Sequence, residues 1–246
     1  MSSFRATPAV ASTTLEFRDV VKDYRIGPET VRAVNHVSLR IDPGELVALF
    51  GPSGSGKSTL LMIAAAVLGP DSGAVYVNGR DVTTLSSQEA SAYRMRELGF
   101  ITQAIDLLEG ADAVTNAALK LYGLGMRVGP ANRRVAKMLD AVGLGARLKH
   151  RPYELSMGER QRVMIVRALS TEPRVVLADE PTGALDSERT TEVLELLRTV
   201  TTERQIATLL VTHDPQAAEY ADRLYTLRDG TLAPSEHQAL PAPLAP

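Results

Sequence analysis

A glycine-rich loop stands between an apolar strand and the start of a helix, and this arrangement constrains the fold more than any other feature of the chain. The apolar run Leu46 to Phe50 precedes the loop, and a helix is predicted from about Lys57 to Leu68. The loop fits the pattern G-x-x-x-x-G-K-[ST] of a phosphate-binding P-loop. Its nine residues are Gly51, Pro52, Ser53, Gly54, Ser55, Gly56, Lys57, Ser58 and Thr59. The strand, loop and helix together predict an α/β fold of the P-loop NTPase type.

The residue types in this loop suit a nucleotide phosphate. Glycines let the backbone curl so that successive N–H groups face phosphate oxygens. The helix that begins here adds its free N–H groups and the positive end of its dipole. Lys57 supplies a mobile cation for the terminal phosphates, and Ser58 supplies a hydroxyl to Mg²⁺. We therefore expect ATP and Mg²⁺ as ligands. The alternative is a Gly- and Ser-rich loop that merely precedes a helix.

Composition narrows the classes of protein to consider. The chain of 246 residues can bury a substantial core, and 44% of it is hydrophobic, as in a globular protein. Lys and Arg number 27 against 29 Asp and Glu, so the net charge of −2 offers no footprint for nucleic acid. The absence of cysteine excludes a disulfide scaffold. The longest apolar run, Leu60 to Leu68, is far shorter than the roughly 20 residues of a membrane span, so membrane contact is expected only through a partner.

The periodicity of apolar residues predicts the layout of the domain. Alternating apolar residues near Leu15 and over residues 37–41 predict an antiparallel N-terminal β-subdomain. Short apolar strands separated by helices predict a mainly parallel, RecA-like sheet covered on both faces; they lie at residues 98–102, 175–178 and 206–211.

The segment between the first two of these core strands is helical in pattern. It predicts an inserted α-helical subdomain at about residues 104–170. We expect one ATPase domain over residues 14–232, because no linker or internal repeat interrupts it. The small, polar residues 1–13 and the Ala- and Pro-rich residues 233–246 are expected to be mobile tails.

Two adjacent acids follow the apolar strand at residues 175–178. Ligands of open α/β sheets bind at the carboxyl ends of the strands, where Asp179 and Glu180 would lie. We expect Asp179 to hold the hydration shell of Mg²⁺ and Glu180 to orient or deprotonate the attacking water. The alternative is a solvated strand end or an N-cap for the next helix.

With these motifs, nearly the whole chain, from about Leu15 to Gly230, resembles an ATP-binding subunit of an ABC transporter. The resemblance depends on Leu-Ser-Met-Gly-Glu-Arg-Gln-Arg at residues 155–162, which is similar to the LSGGQ-type signature of this family. Further motifs match in order: Tyr24, Gln103, Gly-Ala-Leu-Asp at residues 183–186, and Thr-His-Asp at residues 212–214.

The signature segment, residues 155–162, has a local interpretation as well. Ser156 and Glu159 have the spacing of a capping box that begins a helix, and that helix start is also an anion site. The resemblance implies that Ser156, Gly158 and Glu159 contact the ATP bound by a second subunit in a head-to-tail dimer. Met157 stands where the family usually has Gly, which puts the hydrolysis rate in question.

The resemblance implies roles for the remaining motif residues. Tyr24 would stack on adenine, unless it is an ordinary half-buried strand residue. Gln103 would reach Mg²⁺ and the attacking water, or be a plain polar loop residue. His213 would contact the γ-phosphate and steady Glu180, whereas a lone His is more often structural. Asp186 would lie at the dimer interface, with a helix N-cap as its alternative. Together with Lys57, the residues Gln103, Glu180 and His213 form the expected catalytic set.

The flanks of the signature are similar to those of lipoprotein-release and macrolide-export ATPases, and of the cell-division ATPase of the same group. Three functions stay open. The chain would power a membrane transporter or extruder of lipoprotein, peptide or drug-like substrates. It would alternatively drive an extracellular hydrolase through a membrane partner, or be a soluble ABC ATPase of translation or DNA repair. The first two imply a permease partner, a second ATPase subunit forming a homodimer, and a cytoplasmic location on the inner face of the plasma membrane.

Overall fold

The computed structural model describes residues 14–183 and 185–235. Within them the chain forms ten strands and six α-helices. The strands are β1 Leu15–Ile26, β2 Glu29–Ile41, β3 Leu46–Phe50, β4 Ser72–Val77, β5 Arg80–Asp81, β6 Leu98–Ile101, β7 Val175–Asp179, β8 Ala207–Val211, β9 Arg223–Arg228 and β10 Thr231–Pro234. The helices are α1 Lys57–Ala64, α2 Ser87–Arg96, α3 Ala113–Gly123, α4 Val128–Ala141, α5 Met157–Leu169 and α6 Ser187–Glu203.

The larger sheet has six strands in the order β10-β9-β3-β8-β7-β6. Strands β9, β3, β8, β7 and β6 run parallel, and only β10 is antiparallel to its neighbour. All five residues of β8 are buried, as expected for a central strand covered on both faces. The predicted mainly parallel core is confirmed. Because the strands are parallel, the loops that follow β3, β6, β7 and β8 all lie at the carboxyl ends of the strands. We call this side of the sheet its carboxyl edge.

The second sheet is antiparallel, with the order β2-β1-β4-β5. A long hairpin joins β1 to β2, pairing Leu15 with Ile41 at one end and Tyr24 with Val31 near the other. One hydrophobic cluster contains side chains of both sheets and of α1, including Phe17, Leu49 and Leu61. The predicted N-terminal antiparallel β-subdomain is therefore present, and it packs on the same core as the P-loop helix.

Helices α3, α4 and α5 pack around a separate hydrophobic cluster. The α3 face predicted from the sequence is buried throughout, and it comprises Val114, Ala117, Ala118 and Leu121. On α4, Val135 and Leu139 are fully buried, whereas Met138 is half-buried and contacts both this cluster and the core of the large sheet. The inserted helical subdomain thus has its own core, and Met138 lies at its junction with the sheet.

Several elements differ from the sequence-based expectations. Helix α1 ends at Ala64, short of the predicted Leu68, and Ala66 then has a positive φ of 50°. Strand β10 continues to Pro234, two residues into the segment expected to be a C-terminal tail from residue 233. Residues 1–13 and 236–246, the rest of the expected tails, lie outside the described residues. No helix in residues 14–183 or 185–235 is long and apolar enough to cross a membrane.

Candidate functional site

The P-loop, residues 51–59, connects β3 to α1 at the carboxyl edge of the large sheet. Gly54 and Gly56 adopt φ of 82° and 103°, a region that favours glycine. Gly56 is the N-cap of α1, and no side chain caps that helix end. The first turn of α1 also contains no acidic residue. The N–H groups of this helix start are therefore available to an anion.

Gly56 also has no room for a side chain, for steric reasons. A Cβ at Gly56 would collide with the backbone carbonyl oxygen of Ala33 in β2. A Cβ at Gly54, by contrast, would meet no heavy atom within 4 Å. The two glycines thus have different reasons to be glycine: Gly54 needs only its backbone conformation, whereas Gly56 also packs closely against β2.

Lys57 begins α1 and is 9% exposed. Its Nζ donates hydrogen bonds to the backbone carbonyl oxygens of Gly51 and Pro52, at 2.7 and 2.9 Å. The Lys57 ammonium group is thus held across the P-loop by two uncharged backbone carbonyl groups. A phosphate oxygen can replace them as the acceptor with a stronger, charge-assisted bond.

The two acids lie at the carboxyl end of β7: Asp179 is its last residue and Glu180 comes directly after it. Strand β8 lies between β7 and the P-loop strand β3. Burial raises the pKa of Asp179, and the neighbouring charge of Glu180 acts in the same direction. A hydrogen bond from Ser58 and the charge of Lys57 oppose this shift without cancelling it. The neighbours of Asp179 therefore do not fully stabilise its ionised form, and a nearby cation would stabilise it further.

Glu180 has a positive φ of 48°, which is uncommon for a residue with a side chain. Its N–H donates to the carbonyl oxygen of Val211 at 2.8 Å, which fixes this conformation next to β8. Its Oε2 lies 2.9 Å from Nδ1 of His213 and accepts the His213 backbone N–H at 3.2 Å. Glu180 and His213, which are 33 residues apart, therefore form one polar unit at the sheet edge.

A cavity of about 420 Å³, the P-loop cavity, brings most of the predicted residues together. The site residues predicted from the sequence that line it are Tyr24, Ser53, Gly54, Gly56, Lys57, Ser58, Thr59, Gln103, Asp179 and Glu180. The hydroxyl of Tyr24 lies 3.5 Å from Oγ1 of Thr59. Tyr24 is a residue of β1 and is 37% exposed at this cavity, and its stacking on adenine stays a prediction.

Two residues of β2, Val31 and Ala33, also line the P-loop cavity, although neither belongs to a motif of the sequence. Val31 pairs with Tyr24 across the β1–β2 hairpin. The hairpin thus folds over the P-loop, a placement that depends on the contact of Ala33 with Gly56. No local pattern in the sequence indicated this contact.

The signature segment lies away from the P-loop cavity, whose lining contains none of Ser156, Gly158 and Glu159. Ser156 caps α5 in the predicted capping box: its Oγ accepts the Glu159 N–H at 3.2 Å, and Glu159 Oε2 accepts the Ser156 N–H at 2.7 Å. Met157 is 42% exposed at this helix start. A Cβ at Gly158 would lie 3.0 Å from Cδ of Arg189, so the start of α5 packs against α6.

Asp186 does not line the P-loop cavity either. It is the N-cap of α6, where its carboxylate accepts the Arg189 N–H at 3.0 Å and the Arg189 guanidinium at 2.6 Å. The N-cap, which was the alternative to an interface role, is therefore what Asp186 does within this chain. Its exposed side chain stays accessible from outside.

Comparisons with known proteins agree with this geometry. The family model described as "ABC transporter" matches residues 34–183. The macrolide export ATP-binding/permease protein MacB of Syntrophobacter fumaroxidans is 40% identical over 222 residues, which are 89% of this chain and 31% of that protein. The lipoprotein-releasing system ATP-binding protein LolD of Saccharophagus degradans is 39% identical over 91% of this chain and 98% of LolD. The chain thus spans about a third of the MacB relatives.

Solved structures give the same result. The dimeric MJ0796, a bacterial ABC transporter cassette, is similar with a TM-score of 0.81 and 34% identity, covering 89% of this chain and 98% of that one. A post-hydrolysis dimer of MJ0796 bound to ADP and Pi has a TM-score of 0.81 and 33% identity. The family match covers more than half of the chain, and LolD matches it almost end to end. This chain belongs to the ATP-binding proteins of ABC transporters, a family of ATPases.

Proposed function

We propose that the chain is the ATP-hydrolysing subunit of a membrane exporter or extruder that acts on lipoprotein, peptide or drug-like substrates. The observation that carries the proposal is the Glu180–His213 pair at the same sheet edge as the P-loop, with Nδ1 and Oε2 at 2.9 Å. Glu180 takes the proton of the attacking water, because it is a carboxylate in the P-loop cavity next to the phosphate-binding loop. His213 orients Glu180 and contacts the γ-phosphate.

The other residues of the P-loop cavity act by position and charge. The P-loop N–H groups and Lys57 bind the phosphates, and Tyr24 stacks on the adenine. Ser58, Asp179 and Gln103 would hold Mg²⁺, which neutralises phosphate charge when it is bound. The raised pKa of Asp179, caused first by burial, supports its part in this set because a buried carboxylate is stabilised by a cation.

The residues outside the P-loop cavity support a head-to-tail homodimer. Ser156, Gly158 and Asp186 belong to the signature segment and the start of α6, and they do not line the cavity of their own chain. In a second copy they would complete it, with the start of α5 facing the terminal phosphate. The dimeric MJ0796 cassette, 34% identical over 89% of this chain, supports this arrangement. Two MgATP would then lie between two copies.

An apolar groove outside the P-loop cavity supports the proposal of a membrane partner. The groove has a volume of about 360 Å³ and lies where α1, α2, β6 and α3 meet. It includes Met62 and Val67, whose side chains are 45% and 63% exposed, and Phe100, three residues before Gln103. A permease segment seated there would contact β6, the strand that leads into Gln103 of the P-loop cavity. The MacB relatives are ATP-binding/permease proteins, and a permease partner would place this chain at the cytoplasmic face of the membrane.

The test is Glu180→Gln with Glu203→Gln as a matched control at the exposed end of α6. Glu180→Gln is expected to bind ATP normally, to hydrolyse it at least about 100-fold more slowly, and to accumulate as an ATP-bound dimer in size-exclusion chromatography. Glu203→Gln is expected to match the wild type in all three measurements. Near-normal hydrolysis by Glu180→Gln would show that Glu180 is not the base that takes the proton of the attacking water.

A further inference from the structure

A second cavity lies at the opposite edge of the large sheet from the P-loop. It has a volume of about 760 Å³, and we name it the basic cavity. Three segments enclose it: helix α4, the turn between α5 and β7, and the turn between α6 and β8. Since β7 and β8 begin at these turns, the cavity is at the amino ends of the parallel strands. It is therefore separate from the catalytic edge.

The lining of the basic cavity is strongly positive. Its charged members are five cations and one acid: Arg133, Arg134, Lys137, Arg174, Arg204 and Glu172. Glu172 pairs with Arg134 at 3.0 Å. The other four cations make no ion pair with any described residue. The whole chain has a net charge of −2, so this concentration of positive charge is local.

The arrangement of these cations favours phosphate over a general anion. Three of the four unpaired cations are arginines, whose planar guanidinium groups bind two oxygens of one phosphate at once. They come from three different segments and converge on one concave space, so several phosphate groups can be bound together. Met138, Pro173 and Ile206 supply an apolar wall between them. A volume of this size is typical of sites for small ligands.

We propose that the basic cavity is a binding site for a soluble small molecule that carries two or more linked phosphate groups. Such a ligand would neutralise Arg133 and Lys137 on α4 together with Arg174 and Arg204 on the core. It would also cover Met138, which contacts both the helical subdomain and the core of the sheet. Binding there would tie α4 to the strands β7 and β8 without entering the P-loop cavity.

The experiment uses the full chain with its P-loop saturated by Mg²⁺ and a non-hydrolysable ATP analogue. Inorganic phosphate, pyrophosphate and tripolyphosphate are then titrated by calorimetry. The test variant is Arg133→Glu with Lys137→Glu. The matched control is Arg96→Glu with Arg127→Glu, which makes the same charge change at exposed residues outside the basic cavity. Unchanged ATP hydrolysis by both variants checks that they are folded.

One site is expected on the wild type, with affinity rising at least about tenfold from phosphate to tripolyphosphate. The test variant is expected to lose at least about tenfold in tripolyphosphate affinity, and the control variant less than about twofold. The proposal is overturned if the wild type does not bind, if both variants lose affinity equally, or if phosphate binds as tightly as tripolyphosphate. Cavity-dependent binding of phosphatidic acid vesicles or of an acidic peptide, without binding of tripolyphosphate, would also overturn it.

Discussion

The starts of α1 and α5 are both helix ends that would face ATP phosphates, and they are built in opposite ways. Helix α1 begins at Gly56 with no side-chain cap and no acid in its first turn. Helix α5 begins at Ser156 with a complete capping box, in which Glu159 supplies a carboxylate. Burial disfavours the charged form of Glu159, but hydrogen bonds from Ser156 and Arg147 outweigh this and lower its pKa, so the carboxylate is ionised at neutral pH.

The two helix starts differ in whether they can bind phosphate alone. At α1 the free N–H groups and the dipole act together on an anion. At α5 the N–H groups of Ser156 and Glu159 are already bonded, and the negative charge of Glu159 opposes an approaching phosphate. We infer that α1 is the primary phosphate site and that α5 contributes only after the phosphate is bound by another copy. Hydrolysis would then depend on protein concentration, whereas ATP binding would not.

The largest effect is expected from Gly56→Ala, compared with Gly54→Ala. Both replace a glycine with positive φ, but only at Gly56 does the added Cβ collide with the carbonyl oxygen of Ala33. Gly56→Ala is expected to weaken ATP binding at least about 100-fold, or about 2.7 kcal/mol. Gly54→Ala is expected to weaken it less than about tenfold. The measurement is the ATP Kd by equilibrium binding, and equal losses would show that the open start of α1 does not depend on this packing.

A smaller effect, of opposite sign, is expected at α5 from Glu159→Gln. The amide oxygen of Gln can still accept the Ser156 N–H, so the helix start is kept while its negative charge is removed. In the proposed dimer the start of α5 faces the phosphate bound by a second copy, so removing this negative charge is expected to favour ATP-driven dimerisation by about two- to fivefold. The measurement is the dimer dissociation constant in the Glu180→Gln background.

The matched control at this position is Glu159→Ala, which removes both the charge and the capping acceptor. It is expected to lower Tm, because the Ser156 N–H loses its partner at the start of α5. Weaker dimerisation by Glu159→Gln than by the wild type would contradict the comparison. It would mean that the Glu159 carboxylate itself holds the partner chain.

Contiguous patterns predicted much of the fold and of the site. The P-loop between β3 and α1, the acids at the end of β7 and the capping box of α5 are local in sequence, and the structure has each of these local features where the sequence predicts it. The contact of Glu180 with His213 came only from the family resemblance, because it joins the ends of two strands 33 residues apart.

Other features received no prediction. Helix α2 has no apolar stripe, since only Ala90 and Tyr93 of its ten residues are buried, and its local signal is the capping box of Ser86 and Glu89. The remaining features depend on packing between distant segments. The place of Val31 beside the P-loop follows from a long hairpin folding over Gly56. The basic cavity combines cations of three segments, none of which is a run of like charge on its own.

The smallest effect is expected on the thermal stability of the nucleotide-free protein when Asp179 is replaced. Burial raises the pKa of Asp179 in the folded chain, so its ionised form costs stability at every pH above that value. Asp179→Asn removes the cost and is expected to raise Tm of the nucleotide-free protein at pH 7 by about 2–4 °C, on the order of 1 kcal/mol. This gain shrinks as the pH falls toward the unfolded-state pKa, where the carboxyl becomes neutral in both states. Asp42→Asn, a control at an exposed turn, is expected to leave Tm unchanged. The measurement is thermal unfolding at several pH values. A loss of stability in Asp179→Asn would mean that the hydrogen bond from Ser58 and the charge of Lys57 outweigh burial.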